Sequence, residues 1–269
     1  MHSIINSALC AHFRDYDLLL DVAQATGTGV ELGLFFELPE LMAHQEAARE
    51  RFLGTSVTMH GPMDVEAASA PGSLERARFE DWWKRSFEAY HRFGAQSIVM
   101  HTHKLCGIEP QERERLRAWA TESIQAVAGM AVEQGVRLTV ENVGLRPNEG
   151  MLFDEEAFIA LFDQLPPEVG CLIDVGHALI NRWDLFHVLY CLNRRIFSFH
   201  LHNNDGLADS HRPMFEAGNR YAPEEMKAFL TLTLRFCPDA DWIAEYTPEA
   251  EISREMLIGD LRTLQKLNG

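Results

Sequence analysis

Apolar residues along this chain fall into two alternating patterns. Short runs rich in Val, Ile and Phe recur at 3–9 (SIINSAL), 29–34 (GVELGL), 56–60 (SVTMH), 97–101 (SIVMH), 137–141 (RLTVE), 170–174 (GCLID), 196–202 (IFSFHLH) and 241–246 (DWIAEY). Several are continuously apolar, as expected of parallel strands covered on both faces. Between them lie longer stretches with helical spacing. One runs 73–94, with Ser73 as cap and Gly94 as stop, and another runs 109–135, with Leu116, Trp119, Ile124, Val127 and Met130 along one face. Further helical patterns fall at 15–26, 39–53, 154–165, 183–193, 223–236 and 253–267. The strip MAVEQG (130–135) and the Trp82–Trp83 pair read as core.

Eight strands alternating with eight helices predict a single α/β domain over 1–269, a closed (β/α)₈ barrel with its active site at the C-terminal ends of the strands. The competing open, doubly wound sheet normally carries a Gly-rich phosphate loop after its first strand. The stretch CAHFRD (10–15) is not one.

A barrel makes the last residue of each strand informative. His60, His101, Glu141 and Asp174 end strands three to six. Strand seven carries His200 and His202, and strand eight carries Glu245. His177 follows Asp174 in the next loop, and Asp209 and His211 lie in the loop after strand seven. Each has an ordinary structural explanation alone, Asp174 as a helix cap and His177 as a loop histidine. Together they would crowd carboxylates at one mouth, where each raises its neighbours' pKa unless a cation compensates. Mixed imidazole and carboxylate donors suit zinc or manganese better than calcium or magnesium. His12, His44, His91 and His187 read as surface or helix residues, and His103 and His202 as orienting partners or substrate contacts.

Composition narrows the partners. The net charge is −16, and no stripe of Lys and Arg is available to track a nucleic-acid backbone. The five cysteines (10, 106, 171, 191 and 237) are scattered and never spaced CxxC, which points to reduced thiols in a cytoplasmic protein. Neither a signal peptide nor a membrane span is expected. A homo-oligomer is compatible with all of this.

At this point the chain resembles the xylose isomerase-like TIM-barrel superfamily, which includes sugar isomerases and epimerases and the endonuclease IV-type apurinic/apyrimidinic endonucleases (family 2). The resemblance runs from strand two to strand eight. It is carried by CLIDVGHA (171–178), which looks like the family's Asp-x-x-His-Ala turn, by FHLHNNDG (199–206) with the later DSH (209–211), and by the strand ends VEN (140–142) and IAE (243–245). In endonuclease IV relatives nine side chains hold three zinc ions. The resemblance would place His60, His101 and Glu141 on the first. Glu141 would bridge to a second, also held by Asp174, His200 and Glu245, and His177, Asp209 and His211 would hold the third. In the sugar epimerase branch one manganese or related ion, Mg included, would sit on Glu141, Asp174, His200 and Glu245 alone. The chain departs from the endonucleases in three places. Met63 stands where they have a tyrosine, HTHKL (101–105) replaces a His-Pro-Gly, and RPMFEAGNRY (212–221) lacks a Gly-x-Gly.

Two activities follow from the resemblance. One is a metal-dependent isomerase or epimerase acting on a sugar or sugar phosphate, with Glu141 and Glu245 as catalytic acid and base. The other is a zinc-dependent phosphodiester hydrolase, with Arg146, Arg182 and Arg212 in mouth loops to hold phosphate. Glu31, His103 and His202 complete the candidate substrate contacts. A barrel that keeps its metal without catalysing anything is the third reading.

Overall fold

The computed structural model describes residues 5–9, 16–104, 107–144, 151–246 and 252–269. Arg146, Cys10, Cys106 and His12 fall outside the described residues. Among those described, eight strands run in chain order β1 (Ile5–Leu9), β2 (Gly29–Gly33), β3 (Val57–His60), β4 (Ile98–His101), β5 (Leu138–Glu141), β6 (Gly170–Asp174), β7 (Ile196–Leu201) and β8 (Asp241–Tyr246). Each pairs in parallel with the next, and β1 pairs with β8 to close the barrel. Nine α-helices among the same residues surround it: α1 (Tyr16–Thr26), α2 (Pro39–Ala48), α3 (Leu74–Phe93), α4 (Arg113–Gln134), α5 (Glu155–Leu161), α6 (Val175–Ile180), α7 (Leu185–Leu192), α8 (Pro223–Phe236) and α9 (Arg254–Asn268).

The predicted elements recur within a few residues, with one addition. The segment after β6 was expected to be loop and forms the short helix α6. The cause is local: the Asp174 carboxylate accepts from the His177 backbone N–H at 2.7 Å and caps the helix.

The helices bury apolar stripes against the barrel. On α3 the stripe is Phe79, Trp82, Trp83, Phe87 and Tyr90, at spacings of three and four. Ser73 caps its start through the Arg76 N–H, and Gly94 ends it in a left-handed conformation. The stripe of α4 differs from expectation. Ala120, Ile124, Val127, Ala128 and Ala131 are buried, while Leu116, Trp119 and Met130 are half-buried. Alanines let the helix approach the strands closely. The larger residues ride the shoulder of the contact, where Trp119 meets the Arg115 guanidinium. Of the MAVEQG strip only Ala131 belongs to the core, and Val132 is exposed.

The N-terminal end of the barrel is closed by a charged pair. Arg137, one residue before β5, donates to Asp241 of β8 at 2.6 Å and to the Phe197 carbonyl of β7 at 3.3 Å. Cys171, Cys191 and Cys237 are free thiols. Among the described residues no helix is long and apolar enough to cross a membrane.

Trp83 is among the largest fully buried side chains. Trp83→Ala removes it from the α3–barrel contact and is expected to cost about 3–5 kcal/mol. Urea unfolding followed by circular dichroism measures this, and a loss below about 1 kcal/mol, small for a buried Trp, would show that α3 is not a principal support of the barrel.

Candidate metal centre

The strand tips converge as their pattern requires. Glu141 lies at the centre, and its two oxygens face different partners. Oε2 is 3.5 Å from His60 Nε2 and 3.3 Å from His101 Nε2. Oε1 is 3.5 Å from both His177 Nδ1 and His200 Nδ1. His200 Nδ1 also lies 3.0 Å from Glu245 and 3.9 Å from Asp174. Beyond them, Asp209 Oδ2 sits 3.1 Å from His177 Nε2 and 3.2 Å from His211 Nε2.

Among the described residues, potential ligand atoms within 4.8 Å of one another form four overlapping groups at the barrel mouth: His60–His101–Glu141, Glu141–Asp174–His200–Glu245, His60–His200–Glu245, and His177–Asp209–His211 with His202. Every residue of the nine-ligand expectation is in one of them. Glu155, Glu156 and His187 form a further, more exposed cluster on the outer helices α5 and α7, where acidic surface residues need no ion.

His202 is better read as an orienting partner than as a ligand. Its ring stacks on His211 with centroids 3.8 Å apart and planes within 9°. Imidazole lone pairs lie in the ring plane, so two parallel, stacked rings cannot both aim at one ion. Its Nε2 instead holds Asp174 at 2.9 Å.

The chemistry of the donors fits a divalent cation. His60 Nδ1 is 2.9 Å from the Gly61 carbonyl, and His177 Nδ1 is 2.9 Å from the Asn142 carbonyl. A carbonyl only accepts, so Nδ1 keeps its proton and Nε2 presents its lone pair to the cluster. Glu141 Oε2, His200 Nδ1 and His211 Nδ1 are buried without a well-directed hydrogen bond, their nearest polar neighbours being other members of the cluster. Buried polar atoms are rarely left so, and a cation satisfies such a set.

Asparagines and glycines that the sequence reading passed over hold the ligands in place. The Asn142 amide donates to the Asp174 carbonyl at 3.0 Å and accepts from the Asp174 N–H at 2.8 Å, extending the β5–β6 ladder by a side chain. Asn203 pairs with Arg212 through both backbone groups and donates its amide to the Met214 and Tyr221 carbonyls, pinning the loop that carries Asp209 and His211. Asn204 reaches the Gly176 carbonyl. A Cβ at Gly144 would lie 2.4 Å from the His177 ring, and one at Gly176 would lie 1.9 Å from the His202 ring. Only glycine leaves room for these imidazoles. The Asn of VEN and the double Asn of HNND were the available signals, since a side-chain amide can replace a missing backbone partner.

The expected substrate contacts are placed differently. Glu31 is buried with both oxygens engaged, by His200 Nε2 and Thr58 Oγ1, each at 2.9 Å. It backs a histidine instead of opening to the mouth. His103 is buried, its Nδ1 bonded to the Thr102 hydroxyl at 3.0 Å. Burial, with His101 nearby, pushes its pKa down to about 3, so it is neutral. Arg212 is half-buried with its guanidinium 3.7 Å from Asp205. Arg182 is exposed just past α6, in a left-handed backbone conformation.

Protonation balances this crowd. Burial opposes charge on every member, yet the carboxylates prevail at the imidazoles. Glu141 holds His60 above its ordinary value. Asp174, Asp209 and Glu141 hold His177 well above, and Glu245, Glu31 and Glu141 do the same for His200. For His211, burial is outweighed by Asp209 and Glu245, and its pKa is pushed up to about 9. In return, against the same burial, His101 and His200 hold Glu141 well below the usual carboxylate range, His200 and His211 hold Glu245 there, and His177 and His211 hold Asp209 there.

The fold and these groups together define a barrel with a buried histidine–carboxylate centre suited to divalent cations. The chain belongs to the xylose isomerase-like TIM barrel family, whose profile matches residues 20–231. No curated protein matches it. Among solved structures it is similar to the TTHB071 protein from Thermus thermophilus soaked with ZnCl2, at 23% identity and a TM-score of 0.72, covering 99% of this chain and 98% of that one. It is similar also to the IOLI protein with a bound zinc atom, at 15% identity and 0.74, covering 100% and 98%. D-psicose 3-epimerase with D-tagatose from Clostridium cellulolyticum H10 matches at 13% and 0.67, covering 100% and 98%.

Stability and metal binding should respond oppositely to pH. The raised histidine pKa values contribute stability that is complete below about 6.5, the unfolded value, and is lost as pH rises through the folded values, about 9 for His211. The lowered carboxylates contribute stability that is present above about 4 and lost on acidification. Metal ions compete with the imidazole protons, so their affinity rises with pH. The chelated protein should therefore melt at progressively lower temperature from about pH 6.5 to about pH 9, while the gain in Tm on adding Zn²⁺ grows over the same interval. Differential scanning fluorimetry checks both. A chelated Tm that rises across this range would contradict the charge assignment.

Proposed function

We propose that the protein is a divalent-metal-dependent isomerase or epimerase of a sugar or sugar phosphate, working by proton transfer at carbon in a cytoplasmic setting. The observation that carries this is the central group, in which Glu141 and Glu245 approach His200 Nδ1 from two non-adjacent strands, at 3.5 and 3.0 Å. Two buried carboxylates on different sides of one centre suit removal of a proton from one face of a substrate carbon and its return to the other. A divalent cation held by Glu141, Asp174, His200 and Glu245 would supply polarisation of the substrate carbonyl. Asp174, fixed by the α6 N-terminus and by His202, keeps the group rigid. His60, His101, His177 and His211 line the approach and would bind substrate hydroxyls. Occurrence of the same fold in D-psicose 3-epimerase with D-tagatose supports this reading.

A second reading is favoured by a separate observation. The His60–His101 and His177–Asp209–His211 groups flank the central one closely enough to hold further cations. Three zinc ions there would make a phosphoester hydrolase. Against it stand the net charge of −16 and the engagement of Arg212 with Asp205.

The deciding experiment incubates protein purified without chelator, its metal content measured, with a panel of ketoses and ketose phosphates in D₂O. Deuterium incorporation at carbon is expected, with about one ion per chain. Glu245→Gln should lower that exchange by about 10²–10⁴-fold while the ion is retained. Three zinc ions per chain with phosphodiester cleavage and no carbon exchange would replace this reading by the second.

A further inference from the structure

We infer that Glu31, anchored by Thr58, is the positioning residue for His200, and through it for the central group; this rests on the metal-binding reading above. Glu31 lies on β2, where it pairs in register with Thr58 of β3. Thr58 Oγ1 donates to one carboxylate oxygen at 2.9 Å, and His200 Nε2 approaches the other at 2.9 Å. All three side chains are buried, Glu31 being 4% exposed. The pair therefore fixes which way the imidazole faces. Nε2 points to Glu31, and Nδ1 points to Glu245, Glu141 and Asp174.

A carboxylate can only accept, so with a cation in the central group the ring would keep its proton on Nε2, toward Glu31, and present the Nδ1 lone pair to the ion. Such a partner also makes the ligand more basic. The contrast within the same site is specific. His60 and His177 are backed by peptide carbonyls, whereas His200 is backed by a carboxylate side chain. Glu31 is therefore not the substrate contact that its strand position suggests. Its role is to give the central group a stronger nitrogen donor than its flanking neighbours have.

The test is a Mn²⁺ titration, read by the electron paramagnetic resonance of free Mn²⁺, on the wild type, Glu31→Ala, Glu31→Gln and Thr58→Val. Glu31→Ala should weaken binding roughly 10- to 100-fold. Glu31→Gln should lose less, because its amide oxygen still accepts from Nε2. Thr58→Val should lose least. A second readout uses ¹¹³Cd-loaded, ¹⁵N-histidine-labelled protein. Wild type should show cadmium coupling to His200 Nδ1, and Glu31→Ala a mixture of the two nitrogens, a change that general destabilisation would not produce. Unchanged Mn²⁺ affinity in Glu31→Ala overturns the proposal while leaving the metal reading intact. If that variant does not fold, unchanged affinity in both Glu31→Gln and Thr58→Val overturns it. A wild type that binds neither Mn²⁺ nor Zn²⁺ overturns the metal reading, and this proposal with it.

Discussion

The constraint on which the site depends is the crowding of buried charge at the C-terminal ends of the strands. Glu31, Glu141, Asp174 and Glu245 all lie within 3.9 Å of one His200 nitrogen or the other. An uncompensated buried ion costs several kcal/mol even after relaxation, so this arrangement cannot stand as four bare carboxylates. Imidazolium protons compensate them in the absence of metal, and a divalent cation does so more compactly. The surrounding architecture serves the same end. Glycines make room for the rings of His177 and His202, and Asn142 locks β5 against β6 where Glu141 and Asp174 emerge.

Asp174 illustrates how one residue satisfies two demands. As the cap of α6 it receives the His177 N–H, which sets the entry angle of that helix and brings the His177 ring to Asp209. Its carboxylate also receives His202 Nε2 and still borders the central group. Capping and coordination would use different lone pairs of one carboxylate, which has about four such sites. The structural and chemical explanations of this residue are not rivals.

Much of this was legible in the chain. Strand-length apolar runs and helical spacing fix the barrel, because parallel strands covered on both faces must be continuously apolar. Polar strand ends are then conspicuous, and the nine expected ligands converge. What was not legible depends on side-chain direction. Glu31 looked like a mouth residue, yet the β2–β3 register sets it against Thr58 and turns it to His200. The α4 stripe moved from Leu116, Trp119 and Met130 to alanines, because close helix–strand approach selects small residues that a hydrophobicity pattern underweights. His202 was ambiguous between an orienting partner and a substrate contact, because only the fold sets its Nε2 2.9 Å from Asp174.

The two readings of the activity are linked through Glu141. Its Oε1 serves the central group and its Oε2 faces His60 and His101. With a single central cation, Oε2 would keep only His60 and His101 beside it, and under the isomerase reading its basicity would depend on those imidazoles being neutral. A second cation on His60 and His101 would bind that oxygen. A nearby positive charge favours the ionised form of a carboxylate, so a bridging Glu141 is a weak base. Metal number and chemistry are therefore not independent properties of this centre. A cation held by His60, His101 and Glu141 would lower the basicity of Glu141 and would supply the chemistry of the hydrolytic reading instead. Leaving that group empty keeps His60 and His101 available for substrate hydroxyls. The two proposed activities therefore differ in one respect at this centre: whether the His60–His101 group would be filled, since only an empty one would leave Glu141 Oε2 without a cation.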